Sequence, residues 1–158
     1  MGSSGYLKVW TELEEAFPYK EVLDRLTQKW KNAAAAVPAP VVIKCGRPAR
    51  RAIVSVGGCD GAVREAMDRM AADGVHLDYL RVRGFPFSQE VDDFIAAYDE
   101  VFVVEQNRDA QLRTLLINET SADKTRLIPV LDYAGMAANP KFIVEGVTAH
   151  LEIVGDSA

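Results

Sequence analysis

The sequence has 158 residues, of which 49% are hydrophobic and 26% charged, and its formal net charge at pH 7 is -5. This length and apolar content suffice for one domain with a sizeable core, whereas two full domains would be crowded. Lysines and arginines are dispersed along a net acidic chain, which argues against nucleic acid as a partner. No apolar run approaches the roughly 20 residues of a membrane-spanning helix, and no secretory signal opens the chain, so we expect a cytoplasmic protein without a membrane partner.

The first 40 residues have a character of their own. Met1 to Gly5 is typical of an expression leader, which leads us to expect a piece of a longer protein, and we assign residues 6–40 to a linker helix and a proline-rich connector. Within the stretch 18–35, apolar residues recur at helical spacing and predict one apolar stripe, formed by Tyr19, Leu23, Leu26 and Trp30. A helix with such a stripe must lie against another surface. The sequence AVPAP, residues 36–40, then ends the helix, because proline lacks a backbone donor.

Residues 41–158 are predicted to form an α/β domain. Apolar strands begin near Ala52, Val75, Glu100 and Arg126, roughly every 25 residues, the length of a strand plus a crossover helix. The strands are apolar on both faces, as parallel strands covered by helices on each side are. We therefore predict three layers: an open, mostly parallel sheet with helices on both faces. Pro129 would remove a ladder hydrogen bond, which places its strand at an edge.

Several residues predict where the helices begin and end. Gly74 is expected to close the first helix of this domain, and Ser88 and Asp109 to cap the second and third. Asn139, followed by Pro140 at the first helical position, opens a last helix.

The carboxyl ends of parallel strands share one edge of a sheet, and ligands of such sheets bind there. Four loops follow the predicted strands, at 57–61, 83–87, 106–109 and 132–138. The first contains Gly57, Gly58 and Gly61 directly before a helix, a junction that either holds a small anion or makes a tight turn. It has neither the glycine spacing of a dinucleotide fingerprint nor the lysine of a phosphate loop.

Other side chains on these loops are weaker candidates for ligand contact. Cys59, near a helix start, is a packing residue or a thiol with a lowered pKa, and the carboxylate of Asp60 competes with an anion if it takes the cap position. Arg83 and Asn107 are candidates to assist the glycine loop, although mixed charges on a rim are usually just solvated. We assign no catalytic residue and no metal ligand, since two cysteines and two histidines are too few for an iron–sulfur cluster or a structural zinc site.

Five segments together resemble the C-terminal part of the α subunit of 2-oxoacid:ferredoxin oxidoreductases, most nearly the 2-oxoglutarate type. They are KEVLDRLTQKW, VPAP, VSVGGCDGAVREAMDRMAADGVHLDYLRVRGFPFSQEVDDFI, VFVVEQNRDAQLRTLL and LDYAGMAANPKFIVEGV, in this order. The resemblance implies a fold like the C-terminal domain of transketolase. It also implies that the linker helix joins a preceding domain of the α subunit to this one.

The family's activity follows from the resemblance and not from the residues alone. These enzymes oxidatively decarboxylate a 2-oxoacid to acyl-coenzyme A, using thiamine diphosphate, Mg²⁺ and iron–sulfur clusters, with ferredoxin as electron acceptor. The expected partners of this chain are the β subunit, the preceding α-subunit domain and, through the complex, ferredoxin; a homodimer of the chain is also considered. Hydroxyl residues are common in the family where Gly58 and Cys59 stand here. The sequence has neither a Gly-Asp-Gly followed by paired asparagines, the family's diphosphate and magnesium site, nor clustered cysteines. From this and the resemblance we expect a noncatalytic domain that holds no cofactor itself, serves subunit assembly and shapes the edge of the active site. The alternatives are a free-standing module for a phosphate-bearing ligand, or the C-terminal domain of another thiamine enzyme.

Overall fold

The computed structural model describes the backbone of residues 16–155 and the side chains from residue 19 onward. The expected leader, residues 1–5, lies outside this range. In chain order the elements are α1 (Ala16–Ala34), β1 (Val41–Ile43), β2 (Arg51–Val56), a 3-10 turn (Gly57–Cys59), α2 (Asp60–Ala72), β3 (Asp78–Val82), α3 (Gln89–Ala96), β4 (Glu100–Glu105), α4 (Gln111–Glu119), β5 (Leu127–Leu131) and α5 (Pro140–Ile153).

The strands form one sheet in the order β1-β3-β2-β4-β5. Strands β2, β3, β4 and β5 run parallel, whereas β1 runs antiparallel to β3. The predicted α/β class and mostly parallel sheet are confirmed. Pro129 lies opposite Val103 on β5, which is an edge strand, as its missing donor predicts.

Each face of the sheet carries one apolar core. Helices α3 and α4 cover one face, with Val54, Leu80, Val103, Phe94 and Leu116 at its centre. Helices α2 and α5 cover the other, with Ile53, Tyr79, Phe102, Met70 and Ile143. Alternate residues of β2 and β4 therefore point into opposite cores, which explains the uninterrupted apolar runs at 52–54 and 101–104.

The strand β1 was not predicted. Its three residues follow the connector and are too few to show a strand pattern, and a buried carboxylate, that of Asp78, secures the chain directly after them. Asp78 accepts hydrogen bonds from the backbone N–H of Cys45 at 2.8 Å and from the Tyr98 hydroxyl at 2.6 Å, and the Lys44 ammonium lies 3.0 Å away. Burial alone would raise the pKa of Asp78, but these hydrogen bonds outweigh it and lower the pKa.

The predicted boundaries were partly wrong. The strand expected near Val75 begins at Asp78, because the backbone N–H of Val75 still bonds to the carbonyl of Met70 at the end of α2. Gly74 does follow the end of α2, with a left-handed φ of 86°. Asn139 caps α5 as predicted, since its Oδ1 accepts from the Lys141 N–H at 2.9 Å.

The prediction that the Ser88 side chain caps α3 is right about the position but wrong about the hydrogen bond. Ser88 occupies the N-cap position with extended backbone, but its hydroxyl makes no capping bond. Instead, the Ser88 Oγ is buried and has no hydrogen-bond partner among the described residues.

The linker helix and connector pack against the loop after β3 at three points. The Trp30 ring lies edge to face with Phe85. A Cβ added to Gly84 would collide with Val37, and Arg83 donates a long hydrogen bond of 3.5 Å to the Ala39 carbonyl. The stripe nevertheless stays half exposed along its whole length: 51% for Tyr19, 43% for Leu23, 50% for Leu26 and 49% for Trp30.

No helix within residues 16–155 is both long enough and apolar enough to cross a membrane.

Candidate functional site

Loops from four parallel strands come together at one edge of the sheet, as predicted from their order. The chain runs from β2 outward to β3 and then crosses over β2 to β4, so that the topological switch point lies between β2 and β4. Gln106, after β4, donates from Nε2 to the Met136 carbonyl at 3.1 Å. Its Oε1 lies 3.5 Å from where a Cβ on Gly58 would be. The loops after β2, β4 and β5 therefore meet at this point.

The glycine loop makes a tight strand-to-helix turn. Gly57 has a φ of 66°, which only glycine adopts without strain, and it opens the 3-10 turn that leads into α2. Gly61 lies within the first turn of α2. A Cβ on Gly57 or Gly61 would meet nothing within 4 Å, so neither position brings the backbone close to another part of the molecule.

Asp60 is the first residue of α2, and its carboxylate does not cap the helix as considered from the sequence, since the N-cap residue is Cys59. The carboxylate instead accepts from the Arg64 Nε at 3.1 Å and lies 3.7 Å from the Arg81 guanidinium. The Tyr79 hydroxyl donates to it at 3.1 Å. The arginines nearest the glycine loop are thus already paired with an acid of the same loop.

A buried hydroxyl pair continues this network into the core. Tyr79 and Ser55 share a hydrogen bond of 2.7 Å, and both side chains are fully buried. Burial, reinforced by the negative charge of Asp60, raises the pKa of Tyr79 to about 12. This hydroxyl is therefore a neutral structural link between β2, β3 and α2.

Cys59 is buried, and its thiol is a packing group. Burial raises its pKa, and the carboxylates of Glu105 and Asp132 raise it further. The lowered pKa considered for this cysteine is therefore wrong, because the low dielectric and the nearby acids outweigh the helix start. Cys45 is also a free thiol, and its Sγ lies 3.4 Å from the Arg47 carbonyl.

A cleft of about 330 Å³ opens beside the switch point. Its apolar walls are Val56, Val82, Phe85, Phe87, Leu112 and Leu115, and its polar lining includes Arg83 and Asn107. We call it the rim cleft. The structure thus brings together two of the residues singled out from the sequence, Arg83 and Asn107. The glycine loop, residues 57–61, is not part of this lining.

At the base of the rim cleft, the N-terminus of α4 is capped by a residue that the sequence did not reveal. Glu105, only 2% exposed at the end of β4, accepts the backbone N–H groups of Leu112 at 2.6 Å and Arg113 at 3.0 Å. Asn107 donates to the same carboxylate at 2.8 Å. The prediction that Asp109 caps α4 is wrong. The N-cap residue is Ala110, which has a left-handed φ of 49°. The acceptors for the first α4 amides lie upstream: Glu105, on the strand, for Leu112 and Arg113, and Asn107, in the loop, for Gln111.

Within residues 16–155, no group of three or more histidine, cysteine, aspartate or glutamate side chains is arranged to hold a metal ion.

The strand order, the two helical layers and the loops at the switch point define a mostly parallel α/β domain with a transketolase-like fold. Among solved structures, the chain is similar to 2-oxoglutarate:ferredoxin oxidoreductase from Magnetococcus marinus, with a TM-score of 0.75 and 24% identity over 87% of this chain. The match spans only 24% of the length of that chain. At 24% identity, this similarity shows that the two chains share a fold and shows nothing beyond that.

Two further structures are similar over 72% of this chain. A split-gene transketolase, described as an inactive beta4 tetramer, gives a TM-score of 0.54 at 17% identity and is covered over 41% of its length. The alpha chain of a probable 2-oxoacid ferredoxin oxidoreductase from Thermoplasma acidophilum gives 0.49 at 22% identity, with 97% of that chain covered. No family model and no curated protein matches the sequence.

Proposed function

We propose that this chain is a noncatalytic domain from the α subunit of a 2-oxoacid:ferredoxin oxidoreductase, with 2-oxoglutarate as the favoured substrate of the whole enzyme. The observation that carries the proposal is the fold likeness, which extends over 87% of the chain with a TM-score of 0.75. The five ordered segments of the sequence point in the same direction. The domain serves subunit assembly and shapes the edge of the active site.

The parent enzyme would use thiamine diphosphate, Mg²⁺, an iron–sulfur cluster and coenzyme A, and this domain would hold none of them. A diphosphate does not fit the glycine loop, because Arg64 and Arg81 are paired with Asp60 and not turned to a ligand. The Asp60 carboxylate itself places negative charge at the start of α2. The buried Cys59 thiol offers no reactive group there. We therefore propose that these residues take part in no catalytic step.

The assembly role is argued from α1. Tyr19, Leu23 and Leu26 form a half-exposed apolar stripe that continues to Trp30, which the domain covers only in part. Contiguous apolar patches of this kind mark surfaces for other proteins. The partners we propose are the preceding α-subunit domain and the β subunit, with ferredoxin joining through the assembled complex. A homodimer through the same stripe is the alternative partner.

A domain of another thiamine enzyme is the second candidate, and the transketolase likeness favours it. The third, a free-standing phosphate-binding module, has weaker support. It requires Arg83 and Asn107 to assist the glycine loop, yet Asn107 is engaged in the cap of α4 and both residues line the rim cleft.

A dye-reduction assay tests the proposal. The 158-residue chain is mixed with thiamine diphosphate, Mg²⁺, coenzyme A and 2-oxoglutarate, and reduction of a viologen dye is followed. We expect no turnover by the chain alone, and turnover when the preceding domain and the β subunit from the same organism are added. Turnover by the chain alone, or none in the complete mixture, would contradict the proposal. Replacing 2-oxoglutarate with pyruvate in the active mixture tests the substrate separately.

A further inference from the structure

We propose that the rim cleft binds a small organic monoanion with an aromatic body, such as an aromatic carboxylate. This inference is independent of the proposed function, because it rests on the cleft alone. The cleft lies where β2 and β4 end, at the point where the strand order reverses. In open parallel sheets this crevice is the place where ligands bind.

The walls of the rim cleft select an apolar, ring-bearing body. Phe85 and Phe87 stand edge to face at 5.0 Å between centroids on one side, and Leu112 and Leu115 of α4 form the other side. Val56, at the end of β2, is 41% exposed although it is a strand residue. An aromatic ring between these side chains would cover apolar surface and find the edge-to-face partners that such rings prefer.

The guanidinium of Arg83 favours a ligand with an anionic group. Arg83 lines the rim cleft, and within the described part of the chain its guanidinium makes only the long hydrogen bond of 3.5 Å to the Ala39 carbonyl. A guanidinium fits a carboxylate with two parallel hydrogen bonds. Because Arg83 is the one arginine that lines the cleft within residues 16–155, a monoanion suits it better than a diphosphate.

The acid at the base of the cleft does not compete for Arg83. Both oxygens of Glu105 are turned toward the start of α4, where Oε2 accepts from the Leu112 N–H and Oε1 from the Arg113 N–H; Oε2 also accepts from Asn107 in the preceding loop. These bonds occupy the amides of Leu112 and Arg113, and the Gln111 N–H donates to Asn107 Oδ1, so recognition of the anion depends on Arg83. The volume of about 330 Å³ suits a fragment of about ten heavy atoms.

An NMR titration of the full chain with phenylacetate tests this proposal. We expect saturable shifts at Val82 and Leu115 with a Kd of about 1 mM. Phenylacetamide, which has the same ring without the charge, and inorganic phosphate, which has charge without the ring, should each bind at least about tenfold more weakly. Equal affinity for the amide, shifts located elsewhere, or no saturable shift with phenylacetate would overturn the proposal.

Substitutions separate the role of Arg83 from general charge. Arg83→Gln should weaken phenylacetate binding about tenfold, and Arg83→Lys should weaken it less. Arg108→Gln is the matched control, since Arg108 is exposed on the same edge and paired with Asp109. It should leave the affinity unchanged. Equal affinities for the wild type and Arg83→Gln, each with an undisturbed amide spectrum, would overturn the assignment.

Discussion

The indole ring of Trp30 meets the phenyl ring of Phe85 edge to face, with centroids 5.2 Å apart and an interplanar angle of 64°. Phe85 in turn contacts Phe87, and both line the rim cleft. One aromatic row therefore joins the linker helix to the wall of the cleft. A partner that binds α1 would act on the same loop that shapes the cleft.

We expect the Trp30–Phe85 contact to appear as a coupling energy. In a double-mutant cycle of Trp30→Leu and Phe85→Leu, the two losses in unfolding free energy should be non-additive by about 0.5–1.5 kcal/mol. Urea denaturation of the four proteins measures it. Pairing Trp30→Leu with Tyr133→Leu, on the exposed loop after β5, is the control and should be additive. Additive losses for Trp30 and Phe85 would show that α1 is not held there.

Gly84 is expected to tolerate no side chain. A Cβ at this position would collide with Val37 of the connector, so Gly84→Ala should lower the unfolding free energy by about 1–3 kcal/mol. The matched control is Gly61→Ala, where a Cβ meets nothing within 4 Å and the residue is helical. That variant should be as stable as the wild type or up to about 1 kcal/mol more stable. Equal thermal denaturation curves for Gly84→Ala and the wild type would contradict the packing of the connector.

Removing the charge of Glu105 should loosen the start of α4. Glu105→Gln replaces one carboxylate oxygen with an NH2 group, which cannot accept a hydrogen bond from the N–H of Leu112 or Arg113. We expect the unfolding free energy to fall by about 1–3 kcal/mol. Glu119→Gln, exposed at the other end of the same helix, should change stability by less than about 0.5 kcal/mol. Hydrogen exchange locates the effect: the amides of residues 112 and 113 should exchange faster in Glu105→Gln only. Unchanged exchange there would argue against the cap.

The raised pKa of Tyr79 predicts that the protein loses stability at high pH. Its pKa is raised to about 12 in the folded chain, so folding favours the neutral hydroxyl. The stabilisation is complete below the unfolded pKa of about 10 and is lost as the pH rises through about 12, a change of about 2–3 kcal/mol. The difference in unfolding free energy between wild type and Tyr79→Phe should therefore shrink between about pH 9 and pH 11.5. A constant difference would mean that Tyr79 ionises as readily in the folded chain as in the unfolded one.

Local patterns were enough to predict most of the fold. The apolar strands and amphipathic helices repeat at regular intervals, and Pro129 identified an edge. The short strand β1 could not be predicted, since it is secured by Asp78, which lies 33 residues from Cys45 in the chain. Sequence spacing does not reveal such a contact.

The edge of the sheet that carries the loops was predicted, but the rim cleft was not, because the sequence pointed to the glycine loop, residues 57–61, which does not line it. The order of the elements placed Arg83 and Asn107 on one edge. The rim cleft between them depends on where Phe85 and Leu115 pack, and the cap by Glu105 depends on how α4 returns onto β4. Cys59 and Asp60 kept their predicted place at the start of a helix, but their surroundings are set by Glu105, Tyr79 and other residues from neighbouring elements.

Co-elution with a partner subunit tests the central claim most directly. The chain is co-expressed with the β subunit and the preceding α-subunit domain from the same organism, and the mixture is analysed by size-exclusion chromatography with light scattering. We predict that the wild-type chain elutes in one complex with its partners. The variant Leu26→Glu, on the half-exposed stripe, should lose this complex. The control variant Gln28→Glu should keep it, because Gln28 lies off the stripe and hydrogen-bonds to Asn32. A chain that elutes without its partners, or a Leu26→Glu variant that still assembles, would contradict the proposed role in assembly.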